Sequence, residues 1–270
     1  MSLAMPSRIQ LRSGRVMPVL GLGTWQLTKD TAGTVVEALR LGYRLIDTSG
    51  DYGTQPAVGD AIRASEVPRE EIFFVTKVEE DEDAHTAAHR NVEEAGLEVA
   101  DLILIHRPPR RGDGIDLWEG LLQARDEGVA RDVGVSNYST EQIDALADAT
   151  GELPVVNQIE WSPFGWSPEM LDYCRARRIV IQAYSPLTRS RRMRDPVLER
   201  IGAAHRKTPA QVVLRWCLQL GVVPLPKANR HEYLVENADV FGFELSASEL
   251  EEIGGLNEHY SSLGSSLAYA

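Results

Sequence analysis

Short, densely apolar runs recur along this chain near Val19, Leu45, Phe74, Leu104, Val133, Val156, Ile181 and Val223. The stretches between them, at 31–41, 55–64, 84–95 and 117–127, carry apolar residues at helical spacing and predict helices. Ser139-Thr140-Glu141 and Ser167-Pro168-Glu169 open two more, each with a hydroxyl N-cap and the second with proline in its first turn. Lys207-Thr208-Pro209-Ala210 starts another by the same logic. Strands alternating with helices are the pattern of a parallel sheet with helical crossovers. Residues 9–16, turning at Ser13-Gly14, read as an N-terminal hairpin that plugs a barrel floor. Residues 188–205 exceed an ordinary crossover and predict an extra helix before the seventh barrel helix. The expected fold is therefore α/β: one (β/α)8 TIM barrel over 1–270, its floor closed by the hairpin, with extra helices near the C-terminus. Residues 1–8 are expected to be a disordered tail or tag remnant, and 257–270 a tail that either completes the pocket or is disordered.

Composition narrows the picture. A chain of 270 residues that is 43% hydrophobic can bury one large core. Its two cysteines, Cys174 and Cys217, fall in predicted helices, where buried free thiols fit a reducing compartment better than a disulfide does. No early stretch has the form of a signal peptide and no apolar run is long enough to span a membrane, so a cytoplasmic protein is expected. A net charge of −12 argues against nucleic acid as a partner.

Three of the apolar runs end in reactive residues. Leu45-Ile46-Asp47 is followed by Tyr52, Phe73-Phe74-Val75-Thr76 by Lys77, and Leu102-Ile103-Leu104-Ile105 by His106. The intervals from Asp47 to Lys77 and from Lys77 to His106 are 30 and 29 residues, about one strand-plus-helix unit each. In a closed parallel barrel such positions converge at the carboxyl ends of neighbouring strands. A free phenol has a pKa near 10, and a lysine ammonium beside it favours the phenolate and draws that value down. An aspartate would hold the lysine charged, and a neutral histidine would orient a carbonyl oxygen. Taken singly, Asp47 could cap a loop, Lys77 could sit on the surface and His106 could be a satisfied core residue. Their joint occurrence at unit spacing favours a proton-donating site.

With these residues in hand, the chain from about 9 to 256 resembles the aldo-keto reductase family, in particular its bacterial 2,5-diketo-D-gluconate reductase-like members. Asp47, Tyr52, Lys77 and His106 match the family's catalytic tetrad. Gly21-Leu22-Gly23-Thr24-Trp25 resembles the first strand and its exit, which implies Thr24 near the cofactor and Trp25 in the substrate pocket. The resemblance implies that Ser136, Asn137 and Gln158 hold the nicotinamide carboxamide and that Tyr184 stacks on its ring, with Ser185 and Leu187 alongside. It further implies that Lys227, Ala228, Glu236 and Asn237 border the adenosine phosphate and adenine. No glycine-rich dinucleotide loop is present, since Gly21-Leu22-Gly23 lacks the third glycine.

The chain departs from the family pattern in two places. Tyr233 stands where NADPH-selective relatives commonly carry arginine, and Ala228 where a hydroxylated residue often follows the lysine, while Arg230 supplies a nearby charge. NADPH is the expected cofactor, with NADH as the alternative. Glu79 and Arg107 replace two tryptophans of the substrate pocket; they either pair with one another or, through Arg107, recognise a carboxylate or polyhydroxy substrate. Arg189, Arg191, Arg192 and Arg194 form either a solvated basic loop or a flap over the pyrophosphate, and Trp161, Phe164 and Trp166 either line the pocket or pack a loop. The resemblance thus implies an NAD(P)H-dependent monomer that reduces aldehydes or ketones to alcohols, with Tyr52 as general acid and no metal. The alternatives are a cofactor-binding sensor or regulatory subunit with little turnover, and an NAD-linked alcohol dehydrogenase acting oxidatively.

Overall fold

A computed structural model describes residues 7–27, 29–264 and 266–269. Two short strands, β1 (Arg8–Gln10) and β2 (Val16–Pro18), pair antiparallel as the N-terminal hairpin. The barrel then follows as β3 (Leu22–Gly23), α1 (Thr31–Arg40), β4 (Leu45–Asp47), α2 (Gln55–Ala64), β5 (Phe73–Val78), α3 (Ala84–Glu94), β6 (Ala100–Ile105) and α4 (Ile115–Asp126). Its second half runs β7 (Ala130–Ser136), α5 (Thr140–Thr150), β8 (Val156–Glu160), α6 (Pro168–Arg177) and β9 (Val180–Tyr184). Two helices, α7 (Pro196–His205) and α8 (Pro209–Gln219), precede β10 (Val223–Pro224), and α9 (His231–Ala238) and α10 (Ala247–Gly254) complete the element order. α7 is the extra helix expected in 188–205.

Strands β3 to β10 form one parallel sheet in sequence order. Its two edges meet through the backbone, with Gly21 N donating to Pro224 O at 3.1 Å and Gly23 N to Pro226 O at 3.3 Å. A Cβ on Gly21 would stand 2.6 Å from Leu225 Cδ2, and one on Gly23 would stand 2.9 Å from Leu225 O, so the closure needs glycine at both positions.

The period of two along each strand separates two cores. Leu45, Phe73, Val75, Leu102, Leu104 and Val156 fill the barrel, stoppered by Leu11 and Met17 of the hairpin. Their strand neighbours Ile46, Phe74, Ile103, Ile105 and Ile159 face the helices. Burying each such side chain contributes about 1.5–3 kcal/mol, so the layers together hold the framework on which the reactive ends sit. Local signals set the helix starts: Ser139, Thr208 and Ser246 each form a capping box, and proline opens α6, α7 and α8.

Two boundaries differ from the sequence expectation. Val19 lies ahead of the first barrel strand, which begins at Leu22 because the chain must first leave the hairpin. Arg8, assigned to the tail, pairs with Pro18 in β1, while residues 1–6 lie outside the described residues. Of the two readings of the C-terminal tail, the described residues pack: Leu267 and Tyr269 are buried, and Glu258 N and Tyr260 N both donate to Phe164 O at 2.9 Å.

Candidate active site

The inward positions of the strands turn polar at one end of the barrel. Leu45 is followed on the same face by Asp47, Val75 by Lys77, Leu104 by His106, and Val156 by Gln158 and Glu160. Lys77 is buried, and its Nζ donates to Asp47 Oδ1 and Oδ2 at 2.9 Å and to Thr48 O at 2.7 Å. Gln158 Nε2 donates to the same carboxylate at 2.8 Å. Burial alone would lower the Lys77 pKa, but the charges of Asp47 and then Tyr52 outweigh it and hold the ammonium above its ordinary value. Asp47 and Lys77 thus form a buried ion pair with its remaining polar atoms satisfied, which the barrel interior demands.

Tyr52 ends a single tight turn, Gly50–Tyr52, that leaves β4 and is capped by Ser49. Its ring centre lies 4.8 Å from Lys77 Nζ and meets the His106 ring edge-on at 5.6 Å. Burial raises the phenol above its ordinary value and Lys77 only partly opposes it. The downward shift expected from sequence is therefore corrected: removal of water from the phenolate outweighs the lysine. At neutral pH this hydroxyl keeps its proton.

Glu79 is not simply a partner of Arg107. Its oxygens lie 2.7 and 2.9 Å from His106 Nδ1, and Ser49 Oγ donates to it at 3.1 Å. Burial would raise the Glu79 carboxyl, but the hydrogen bond and charge of His106, then Arg107 and Ser49, hold it below its ordinary value. Arg107 Nη1 stands 3.5 Å from Glu79 and 3.4 Å from Glu80, with half of the guanidinium side exposed. The pairing foreseen for the two charges is present, but as the outer part of a contact whose inner member is His106.

The residues assigned to the nicotinamide share one hydrogen-bonded network. Tyr184 OH donates to Asn137 Oδ1 at 2.8 Å, Asn137 Nδ2 to Ser136 Oγ at 3.0 Å, and Ser136 Oγ to Gln158 O at 2.7 Å. Asn137 adopts a left-handed backbone with φ of 65°. Thr24 is fully buried and donates to Asp47 O at 2.9 Å. Beyond β9, Ser185, Thr188, Arg189 and Ser190 all have φ between 48° and 64°, while Leu187 is half-buried. Such a run in non-glycine residues is strained, and strain of this kind gathers at functional loops.

Arg189 and Lys227 flank the half-exposed Trp25, with the guanidinium carbon 4.6 Å and the ammonium 5.9 Å from its ring. Burial and then the Arg189 charge lower the Lys227 pKa, and among the described residues neither cation has an acidic partner. Two like charges facing one another in this way are suited to an anion. Arg230 lies 5.8 Å from the exposed Tyr233 ring, Ala228 and Asn237 are buried, and Glu236 accepts from Thr208 Oγ1 at 2.6 Å. Arg192 bonds Glu258 at 2.7 Å and stacks on Tyr260, so part of the basic loop is tied to the tail. Trp161 and Phe164 are buried with Trp166 beside them, as loop packing.

Several supporting residues carried no sequence signal. Asn91 Nδ2 donates to Lys77 O at 2.6 Å, and Thr54 links Thr24 to Thr48 through hydroxyl contacts of 3.1 and 3.0 Å. Glu160 receives Ser261 Oγ at 2.6 Å, Ser262 Oγ at 2.5 Å and Ser262 N at 2.7 Å from the tail. Only the apolar run ending in Glu160 could have suggested an inward carboxylate.

Residues 19–258 match the profile of the Aldo/keto reductase family. The chain belongs to that family. The reductase is 43% identical over 261 residues to an aldo-keto reductase of Mycobacterium tuberculosis, covering 94% of this chain and 92% of that protein. It is 39% identical over 256 residues to one of Mycobacterium leprae, covering 93% and 91%. Its fold superposes on an aldo/keto reductase from Brucella melitensis with a TM-score of 0.87, at 33% identity and 93% and 99% coverage. A Bombyx mori aldo-keto reductase solved in complex with NADP gives 0.89, at 32% identity and 95% and 94% coverage.

Proposed function

We propose that this reductase converts small aldehydes or ketones to alcohols using NADPH, with Tyr52 giving the proton to the carbonyl oxygen. The observation that carries the reading is the buried Asp47–Lys77 pair set 4.8 Å beneath the Tyr52 ring. When bound, the reduced nicotinamide supplies the hydride to the carbonyl carbon. Tyr52 holds the proton, Lys77 stabilises the phenolate left behind, and Asp47 keeps Lys77 charged and in place. His106 orients the carbonyl, and Glu79 fixes the histidine ring. Ser136, Asn137 and Gln158 would hold the nicotinamide amide and Tyr184 its face, since their polar atoms already form a rigid network. Lys227 and Arg189, without acidic partners among the described residues, support an anionic phosphate beside Trp25, and Arg230 adds a third charge. Their charge favours NADPH over NADH.

Tyr52→Phe tests the assignment. Steady-state reduction should fall by a factor of roughly 10²–10⁴, the usual contribution of a positioned acid. Quenching of tryptophan fluorescence by NADPH should persist, and full turnover would sink the assignment. A regulatory subunit with little turnover is less well supported, because the reactive cluster is complete and internally satisfied. An oxidative NAD-linked role is less well supported, because Arg189 and Lys227 beside Trp25 suit the additional phosphate of NADPH. Arg107, already held by two carboxylates, gives only modest support to an acidic substrate. The reading includes a cytoplasmic monomer without nucleic acid partners, in keeping with a net charge of −12. Size-exclusion chromatography would test the monomer.

A further inference from the structure

We propose that His85, His89 and Glu127 form a binding site for a dication of the zinc class, which bridges α3 and α4 on the outer surface of the barrel. His85 and His89 are four residues apart on α3 and therefore share one helix face. Their Nε2 atoms converge on a single oxygen, Glu127 Oε2, at 2.7 and 2.9 Å. The ligand atoms of all three residues lie within 4.8 Å of one another. The imidazole rings meet edge-on with centres 4.8 Å apart, so both are already turned toward a common point. Glu127 caps the end of α4, and its other oxygen accepts from Gln123 Nε2 at 2.9 Å.

The donor set decides the class of ion. Two imidazole nitrogens and one carboxylate oxygen suit zinc and its neighbours, whereas magnesium and calcium seek shells built from oxygen. Partial exposure of all three side chains leaves a position for water, completing a tetrahedron. Gln123 supplies the outer hydrogen bond that fixes the carboxylate, as partners of metal ligands commonly do. The ion would replace hydrogen bonds between the helices with stronger coordinate bonds. None of the three residues belongs to the reaction cluster, so the inference does not depend on the proposed chemistry.

A second trio, Asp51, Glu79 and His106, also places its ligand atoms within 4.8 Å, at the active-site mouth. An ion there would engage His106 and inhibit reduction, so the test must separate the two places. The full-length protein, freed of metal by a chelator, would be titrated with Zn²⁺ by calorimetry and with Co²⁺ by visible absorption. The wild type should bind saturably, develop the intense absorption of tetrahedral Co²⁺ and rise in Tm with added Zn²⁺. His85→Ala and Glu127→Gln should each weaken Zn²⁺ binding by at least about tenfold. Both should lose the Co²⁺ spectrum while retaining the wild-type circular dichroism. Absence of saturable binding in the wild type would overturn the proposal. So would unchanged affinity in both variants with Zn²⁺ inhibiting reduction, which would move the ion to the mouth.

Discussion

A carboxylate accepts hydrogen bonds and never donates them, so the Glu79 contact fixes a proton on His106 Nδ1. Glu79→Gln removes that constraint, because an amide presents either a donor or an acceptor to the ring. Hydrogen bonds to charged groups are worth roughly 1.5–3 kcal/mol, so kcat/KM for reduction should fall about ten- to a hundredfold. NADPH affinity should stay unchanged in the same variant; equal kcat/KM would show that His106 does not rely on Glu79. The sign of the linked pH effect follows from the lowered Glu79 pKa. Its stabilisation is present above the unfolded carboxyl value and is lost as pH falls through the folded one. Wild type and variant should therefore differ in Tm near neutrality and converge in acid. Tyr52 behaves oppositely: burial raises its pKa, so the acid form persists through neutral pH. Asp47, Lys77 and His106 were legible from sequence because each ends or follows an apolar run at one-unit spacing, and Tyr52 because it lies five residues beyond the first of them. The partner of Glu79 was not, because spacing identifies the strand and not the direction in which its exit loop turns a carboxylate.

Among the elements, the C-terminal tail acts as a clasp on β8. Three hydrogen bonds from Ser261 and Ser262 satisfy the buried Glu160 carboxylate, and Tyr269 OH donates to its backbone oxygen at 2.6 Å. Replacing both serines with alanine leaves that carboxylate short of donors. The cost should be about 1–3 kcal/mol, measurable as a lower midpoint in urea. An unchanged midpoint would mean that the tail rests on the barrel without holding it. Strand and helix order was readable because eight apolar runs and their capping signals stand clear of one another. The tail was not, since its fixing depends on a carboxylate about a hundred residues earlier in the chain, beyond the reach of any local pattern. The first barrel strand was displaced for a related reason: its two residues are held by contacts with β4 and β10 rather than by their own apolar run.

Across the whole molecule, charge is distributed unevenly. The chain carries −12 overall, yet Arg189, Lys227 and Arg230 gather near Trp25 and Tyr233. Lys227→Ala should weaken NADPH binding by about tenfold or more while changing NADH binding little, because only the former carries the additional phosphate. Fluorescence titration with both cofactors would decide it, and equal losses would assign the lysine to the shared part of the dinucleotide. The opposite end of the barrel has a different consequence. With Leu11 and Met17 packed into its interior, the barrel is a blind alley. Molecules that arrive through the mouth must leave through it, and one lodged deeper is detained by one that arrived later.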